Sequence, residues 1–440
     1  MGRCPGCDSF NTMIEETIAA ERPRAASASG STGPVRLESV QRDAALERVS
    51  TGIIEVDRVL GGGLVPGALI LLGGDPGIGK STLMLQVATL MSRDGPVLYA
   101  TAEESALQTR LRAERLGGNT HDLYLLDGTD LTAYEEALAS RPWRAVVVDS
   151  LQTVSDPDLE SAPGSVSQVR EVAARLMRVA KSASIPIFLI GHVNKEGSIA
   201  GPRVVEHLVD VVLMFEGDRQ HLFRMLRGVK NRFGPTNELG LFHMAHEGLV
   251  AVEDPSRALL AERPRGAPGS AVAAVLEGSR PMLVEVQALV SRASGIPRRV
   301  VTGIDSAQAA LVLAVLERHG GQRLHDKDVY IKVTGGVEVE DPAVDLACAL
   351  AVVSSRTGVP IPDDWVLAGE LGLTGEVRRA PRMAERLREA AQLGAGRALV
   401  PFSGKAPLAV LPVWRIGDAI RALGAGGSKG MEEPADDDTS

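Results

Sequence analysis

The sequence predicts an α/β protein in which a doubly wound parallel sheet is followed by a second, α+β domain. Three observations carry this expectation. An apolar run at residues 68–72 meets a glycine-rich turn and then an apolar-periodic helix. Short buried-strand patterns then alternate with helical stretches, the order that builds parallel sheets. Beyond a stretch rich in Pro, Arg and Gly at 254–270, a new alternation of strands and helices begins. A chain of 440 residues is long for one core and fits two or three domains.

The glycine-rich turn completes G-x-x-x-x-G-K-[ST]: Gly74, Gly79, Lys80 and Ser81 hold the fixed positions, with Asp75, Pro76, Gly77 and Ile78 between the glycines and Thr82 following. Each part has a physical task. Glycines take backbone conformations closed to other residues and bring N–H groups against phosphate oxygens. The helix starting near Lys80 aims its positive dipole end at them. Lys80 adds a point charge for the β- and γ-phosphates. Ser81 offers a hydroxyl to Mg²⁺, a cation that takes few protein ligands beside phosphate and water. A turn that only caps a helix does not explain Gly-Lys-Ser after a buried strand, so ATP and Mg²⁺ are the expected ligands.

Composition narrows the class. With 44% hydrophobic and 23% charged residues the chain is globular. A net charge of −9 argues against a uniformly basic protein that coats nucleic acid, and part of the acidity sits in the tail MEEPADDDTS. No apolar run reaches the ~20 residues of a membrane span, and no signal-peptide core opens the chain, so a cytoplasmic protein is expected. Three cysteines do not make a disulfide framework. Cys4 and Cys7 form C-x-x-C, half of a four-cysteine Zn²⁺ site. Either the start lies upstream, or a partner chain supplies ligands, or the pair binds nothing. Residues 21–40, rich in Ala, Ser, Gly, Pro and Arg, read as a linker.

Past the phosphate loop, the strand at 97–101 carries Glu103 and Glu104 just beyond its end. Chemistry in open parallel sheets collects beyond the carboxyl ends of the strands. Glu103 is the candidate base that polarises the attacking water, while Glu104 equally fits a helix N-terminal turn. The run at 145–148 closes with Asp149 and Ser150, and an apolar strand ending in aspartate downstream of a phosphate loop holds the Mg²⁺ shell. The strand at 186–190 leads to His192, a candidate γ-phosphate sensor or a structural histidine.

GGDPGIGKST, YATAEES, VVVDSLQTV, APGSVSQVRE, GHVNKEGSIAGPRVVEHLVD and above all KNRFG at 230–234 together resemble the bacterial RadA/Sms family of DNA-repair and recombination proteins. The resemblance covers nearly the whole chain, and CPGC followed by NTMIEE is similar to the end of that family's zinc finger. It implies a RecA-type P-loop ATPase core related to DnaB-like helicases, assembled as a homo-oligomeric ring, in all expectation a hexamer, and acting with the RecA recombinase on single-stranded and branched DNA. It also implies catalytic roles for Lys80, Glu103 and His192, with Asp149 on the metal. Lys230 and Arg232, two apart on a strand, share a face. They are expected either to enter the neighbouring subunit's site as fingers or to touch DNA.

Two glycine-containing loops, 161–170 with Gln168 and Arg170 and 195–203 with Lys195 and Arg203, are the candidate DNA contacts. Neither contains an aromatic, so backbone tracking is expected rather than base stacking. The C-terminal part resembles a Lon-protease-like domain, but the segment VEVEDPAVDLACAL offers Asp345 in place of the nucleophilic serine, and GEVRRAPRM offers arginines in place of the lysine. No peptidase activity is expected. Arginines 378, 379, 382, 386 and 388 form either an outer DNA surface or a solvated helix face. The expected organisation is a partial zinc finger at 1–20, a linker at 21–45, the RecA-type ATPase at 46–256, a linker at 257–270, the Lon-protease-like domain at 271–424 and an acidic tail at 425–440. The function expected is a DNA-dependent ATPase and helicase of recombinational repair; the alternative is an ATP-switched DNA- or recombinase-binding module without unwinding.

Overall fold

A computed structural model describes residues 47–117, 122–191, 203–217, 223–236 and 238–424. In chain order the first elements are α1 (Ile54–Val59), β1 (Leu69–Gly74), α2 (Lys80–Met91), β2 (Val97–Thr101), α3 (Ala106–Arg115), β3 (Leu123–Asp127), α4 (Leu131–Ala139) and β4 (Ala145–Asp149). Then come α5 (Val166–Ala183), β5 (Ile187–Ile190), α6 (Arg203–Glu206), β6 (Val211–Glu216), β7 (Arg224–Asn231), β8 (Leu239–Ala245) and β9 (Gly248–Ala251). Among the described residues these strands make one nine-stranded sheet in the order β3-β2-β4-β5-β1-β6-β7-β8-β9. The first six in that order pair parallel, and β6 to β9 pair antiparallel.

Apart from the edge strand β3, the parallel strands are continuous apolar runs because both faces of the sheet are covered. Ile70 and Leu72 of β1 pack with α2 on one face, and Leu69 and Leu71 pack with α4 and α5 on the other. Strand alternation therefore divides one short run between two cores. The result is the doubly wound P-loop core that the sequence predicts, with the loop at the carboxyl end of its buried strand.

After α7 (Pro255–Leu260), a second set follows: β10 (Ser270–Glu277), β11 (Arg280–Arg292), β12 (Arg299–Thr302), α8 (Ser306–His319), β13 (Lys327–Val333), α9 (Asp345–Thr357) and β14 (Trp365–Leu367). β15 (Glu370–Leu371), β16 (Val377–Arg378), α10 (Met383–Gln392), β17 (Arg397–Val400), β18 (Ala409–Pro412) and α11 (Ile416–Ala422) complete it. Seven of these strands form a mixed sheet, β12-β13-β11-β10-β14-β17-β18, and β15 pairs with β16 alone. α8, α9 and α11 cover one face and α10 the other. The core under α9 continues through Phe223, Leu239, Leu241, Val252 and Leu259, so apolar packing is unbroken between the two sheets.

One detail of this second domain bears on expectation. Arg386 is not on a surface: it is 1% exposed, with its guanidinium paired to Asp341 and donating to Ala274 O at 2.8 Å and Pro381 O at 2.9 Å. Its neighbours Glu385 and Glu389 face outward in sequence pattern, but a buried carboxylate 45 residues upstream claims the arginine. Ser354 and Ser355 serve the backbone. Ser354 Oγ accepts from Gly269 N and donates to Val359 O, and Ser355 Oγ accepts from Val290 N. Among the described residues no helix is long and apolar enough to cross a membrane.

Candidate nucleotide site

The phosphate loop leaves β1 at Gly74, which takes φ 151°; a Cβ there would stand 2.3 Å from Phe215 O of neighbouring β6. Gly77 and Gly79 also have positive φ, at 77° and 117°. No other residue type fits this path without displacing backbone. Ile78 points into the core under α2, and its N–H donates to Asp75 O at 3.3 Å. Lys80, 4% exposed, donates its ammonium to Gly74 O at 2.7 Å and Asp75 O at 3.0 Å, across the mouth of the loop. Burial lowers its pKa from the ordinary lysine value, and the carboxylates of Asp149, Glu103 and Asp75 oppose that shift. Ser81 and Thr82 follow in the first turn of α2.

β2 and β4 are parallel neighbours with Thr101 opposite Asp149, which brings the ends of both strands beside the loop. Asp149 is buried, and Tyr99 Oη donates to its Oδ2 at 2.7 Å. Burial first, and then Asp149 itself, raise the Tyr99 pKa far above its ordinary value, so the phenol stays a donor. The Ser150 hydroxyl donates to Glu103. Glu104 turns away to an ion pair with Arg112 of α3. The two adjacent acids are thus separated into one carboxylate facing Lys80 and Ser150 and one serving the next helix. Neither Tyr99 nor Ser150 was among the predicted site residues; the apolar-strand-plus-polar pattern at 97–101 and 145–150 was the available signal.

The donor set fits Mg²⁺. Asp149 is a single carboxylate oriented by Tyr99, and Ser81 stands at the helix start, which suits a cation that completes its shell with phosphate and water. Among the described residues no group of three or more His, Cys, Asp or Glu has metal-holding geometry. Cys4, Cys7, His192 and Lys195 lie outside the described residues.

Lys230 and Arg232 converge on the segment preceding β6. Lys230 Nζ donates to Glu206 O at 2.6 Å and Val209 O at 2.8 Å, and Arg232 pairs with buried Asp210 at 3.2 Å. Asn231 between them faces the other way, donating to Leu60 O at 3.2 Å and accepting from Phe233 N at 2.9 Å. Arg48 closes the same turn by donating to Phe233 O and Leu60 O. Asn231 pairs with Val211 at the start of β6, whereas Gly74 pairs with Phe215 near its end. The pair therefore sits at the opposite strand ends of the sheet from this chain's own phosphate loop, roughly 13 Å back along β6.

The expected DNA loop at 161–170 is shorter than its sequence suggests. Ser165 caps α5, accepting from Gln168 N, so Gln168 lies in the helix and not in a loop. It is 1% exposed, accepts from Asp156 N at 2.8 Å and donates to Asp156 O, Leu159 O and Ser161 O. That corrects its expected role: Gln168 shapes the preceding loop from inside. Arg170, two residues on, is exposed, and Arg203 opens α6.

A family model described as an AAA domain matches residues 36–198, and one described as subunit ChlI of Mg-chelatase matches residues 295–404. The DNA repair protein RadA of Bacillus subtilis is 53% identical over 409 residues, covering 91% of this chain and 89% of that protein. RadA of Listeria monocytogenes is 49% identical over 429 residues, covering 96% and 92%. RadA of Streptococcus pyogenes serotype M3 is 46% identical over 432 residues, covering 96% and 95%. Among solved structures, a KaiC-like protein from Pyrococcus horikoshii matches with a TM-score of 0.41 at 21% identity, covering 47% of this chain and 99% of that one.

Proposed function

The chain belongs to the RadA family of DNA repair proteins, and on that premise we propose that it is a DNA-dependent ATPase whose hydrolysis drives movement on single-stranded and branched DNA during recombinational repair in the cytoplasm, as a hexameric ring working with the RecA recombinase. Lys80 neutralises the β- and γ-phosphates inside the loop. Glu103, oriented by the Ser150 hydroxyl, takes the proton of the attacking water. Ser81 and Asp149 would hold Mg²⁺, which when bound offsets phosphate charge. His192 senses the γ-phosphate. Arg170, Lys195 and Arg203 track the DNA backbone.

The observation that carries this reading is the position of Lys230 and Arg232 at the strand ends opposite those that bear the chain's own phosphate loop. A cation there reaches a nucleotide in a neighbouring subunit, so hydrolysis is coupled to subunit movement, as a motor requires. The C-terminal domain acts as scaffold and not as peptidase. Asp345 stands where the serine would be, and its carboxylate accepts from Gln308 and from Leu371 N instead of attacking a carbonyl. Zn²⁺ on Cys4 and Cys7 requires two further ligands from elsewhere.

The reading is tested by ATP hydrolysis with and without single-stranded DNA. Stimulation by DNA, lost in Lys80→Ala and reduced in Arg232→Ala with nucleotide binding retained, is the expected result. Hydrolysis indifferent to DNA would overturn it. Arg232→Ala with normal hydrolysis and weakened DNA binding would make that residue a DNA contact.

A further inference from the structure

The tip of the β10–β11 hairpin reaches out of the C-terminal domain and grips the ATPase domain at Arg227, Glu55, Glu238 and Glu253. Glu277 and Arg280 face each other across a two-residue turn of Gly278, at φ 61°, and Ser279. Buried Glu277 accepts from Arg227 Nη2 of β7 at 2.6 Å. Burial raises the Glu277 pKa, and the Arg227 guanidinium opposes this. Arg280 pairs with Glu55 of α1 at 2.7 Å and donates to Glu253 O at 2.8 Å. Glu55 is fully buried and accepts as well from Arg58 and from Leu241 N of β8. Ser279 donates to Glu238.

Two of the gripped elements, β7 and α1, bear on the finger segment: β7 carries it and α1 is tied to it. α1 lies against β7 and β8 over two glycines, Gly228 and Gly240; a Cβ at Gly240 would stand 2.7 Å from Glu55 O. Gripped near its start at Glu55, α1 is followed by its C-cap Leu60, whose carbonyl accepts from Asn231 and Arg48 and so closes the turn that presents Arg232. β7, gripped at Arg227, runs three residues on to Lys230. Two short, stiff elements are therefore held at one end by the hairpin tip and tied together at the other end by the finger turn.

We propose that the hairpin tip, residues 277–280, with Arg227 and Glu55 as its receptors, is the positioning element for Lys230 and Arg232: the C-terminal domain sets where the finger stands in the neighbouring subunit's nucleotide site. This rests on the reading of Lys230 and Arg232 as trans-acting. Arg227, Glu277, Glu55 and Arg280 are positioning residues that touch no nucleotide.

The test uses full-length protein and DNA-stimulated ATP hydrolysis. Arg227→Met lowers kcat roughly tenfold or more, as expected when a reacting group is displaced by about an ångström, with the nucleotide Kd unchanged. The exchanged pair Arg227→Glu with Glu277→Arg restores it. Mixing Arg227→Met with Lys80→Ala subunits, whose fingers are intact, raises hydrolysis above the sum of the two alone; a defect of folding alone does not do this. Should Arg227→Met fail to fold, Arg227→Lys, which keeps the charge and loses the fork, carries the same expectation. An Arg227 variant with kcat within twofold of wild type, beside an Arg232→Ala protein that loses hydrolysis and is rescued by Lys80→Ala subunits, overturns the positioning role and leaves the finger reading intact. Absence of rescue for Arg232→Ala itself overturns the finger reading, and the positioning role with it.

Discussion

The Tyr99 hydroxyl donates to Asp149 Oδ2 at 2.7 Å inside the sheet, from the strand next to the one that carries the aspartate. A buried carboxylate with one committed oxygen is turned as a unit toward the phosphate loop. Tyr99→Phe removes the donor and keeps the packing. The expected outcome is a roughly tenfold rise in the Mg²⁺ concentration for half-maximal hydrolysis, the usual scale for a lost orienting partner, with kcat recovered at saturating Mg²⁺. A Mg²⁺ titration of the variant checks it.

Glu103 and Ser150 make the second pair. Glu103→Gln is expected to lower kcat by about 10²–10⁴ while ATP still binds. Ser150→Ala leaves the base present but less well aimed, so kcat falls roughly tenfold. Glu104→Gln releases Arg112 and shifts stability before it shifts chemistry. Single-turnover kinetics beside nucleotide binding separate the three.

Gln168 and Arg170 are two residues apart and are expected to behave oppositely. Gln168→Ala leaves buried carbonyls and one N–H unpaired and costs about 2–3 kcal/mol of stability, lowering Tm, whereas Arg170→Ala weakens DNA binding at unchanged Tm. Thermal melts beside DNA titrations decide it.

Asp345 supplies a pH dependence. Burial pushes its pKa from 3.8 up to about 6, against the hydrogen bonds from Leu371 N and Gln308. A folded-state value above the unfolded one means that the protonated form stabilises the fold. That contribution is complete below pH about 4 and is lost as pH rises through about 6. The stability of wild type relative to Asp345→Asn should therefore fall by roughly 3 kcal/mol across that window. Denaturant unfolding of both proteins at several pH values measures it, and a flat difference contradicts it.

What sequence alone disclosed follows from locality. The phosphate loop from Gly74 to Thr82, and the strand that ends in Asp149, are consecutive residues, so their chemistry is written in order. Tyr99 with Asp149, and Glu103 with Ser150, depend on strand register, which residue spacing does not state. Gln168 did have a local signal: Ser165 three residues before it, ahead of an apolar-periodic run, marks a helix start. Arg386 had none, since Asp341 stands 45 residues upstream, with α9 and three strands between them. The joint of Glu55 with Arg280 spans 225 residues and two domains, beyond any periodicity.

The measurement closest to the central claim is strand displacement from forked or displacement-loop DNA, run with ATP, with a non-hydrolysable analogue and with Lys80→Ala protein. The account predicts displacement with ATP alone, absent with the analogue and with the variant. Tight single-strand binding in every nucleotide state without displacement would contradict the motor and leave an ATP-switched binding module in its place.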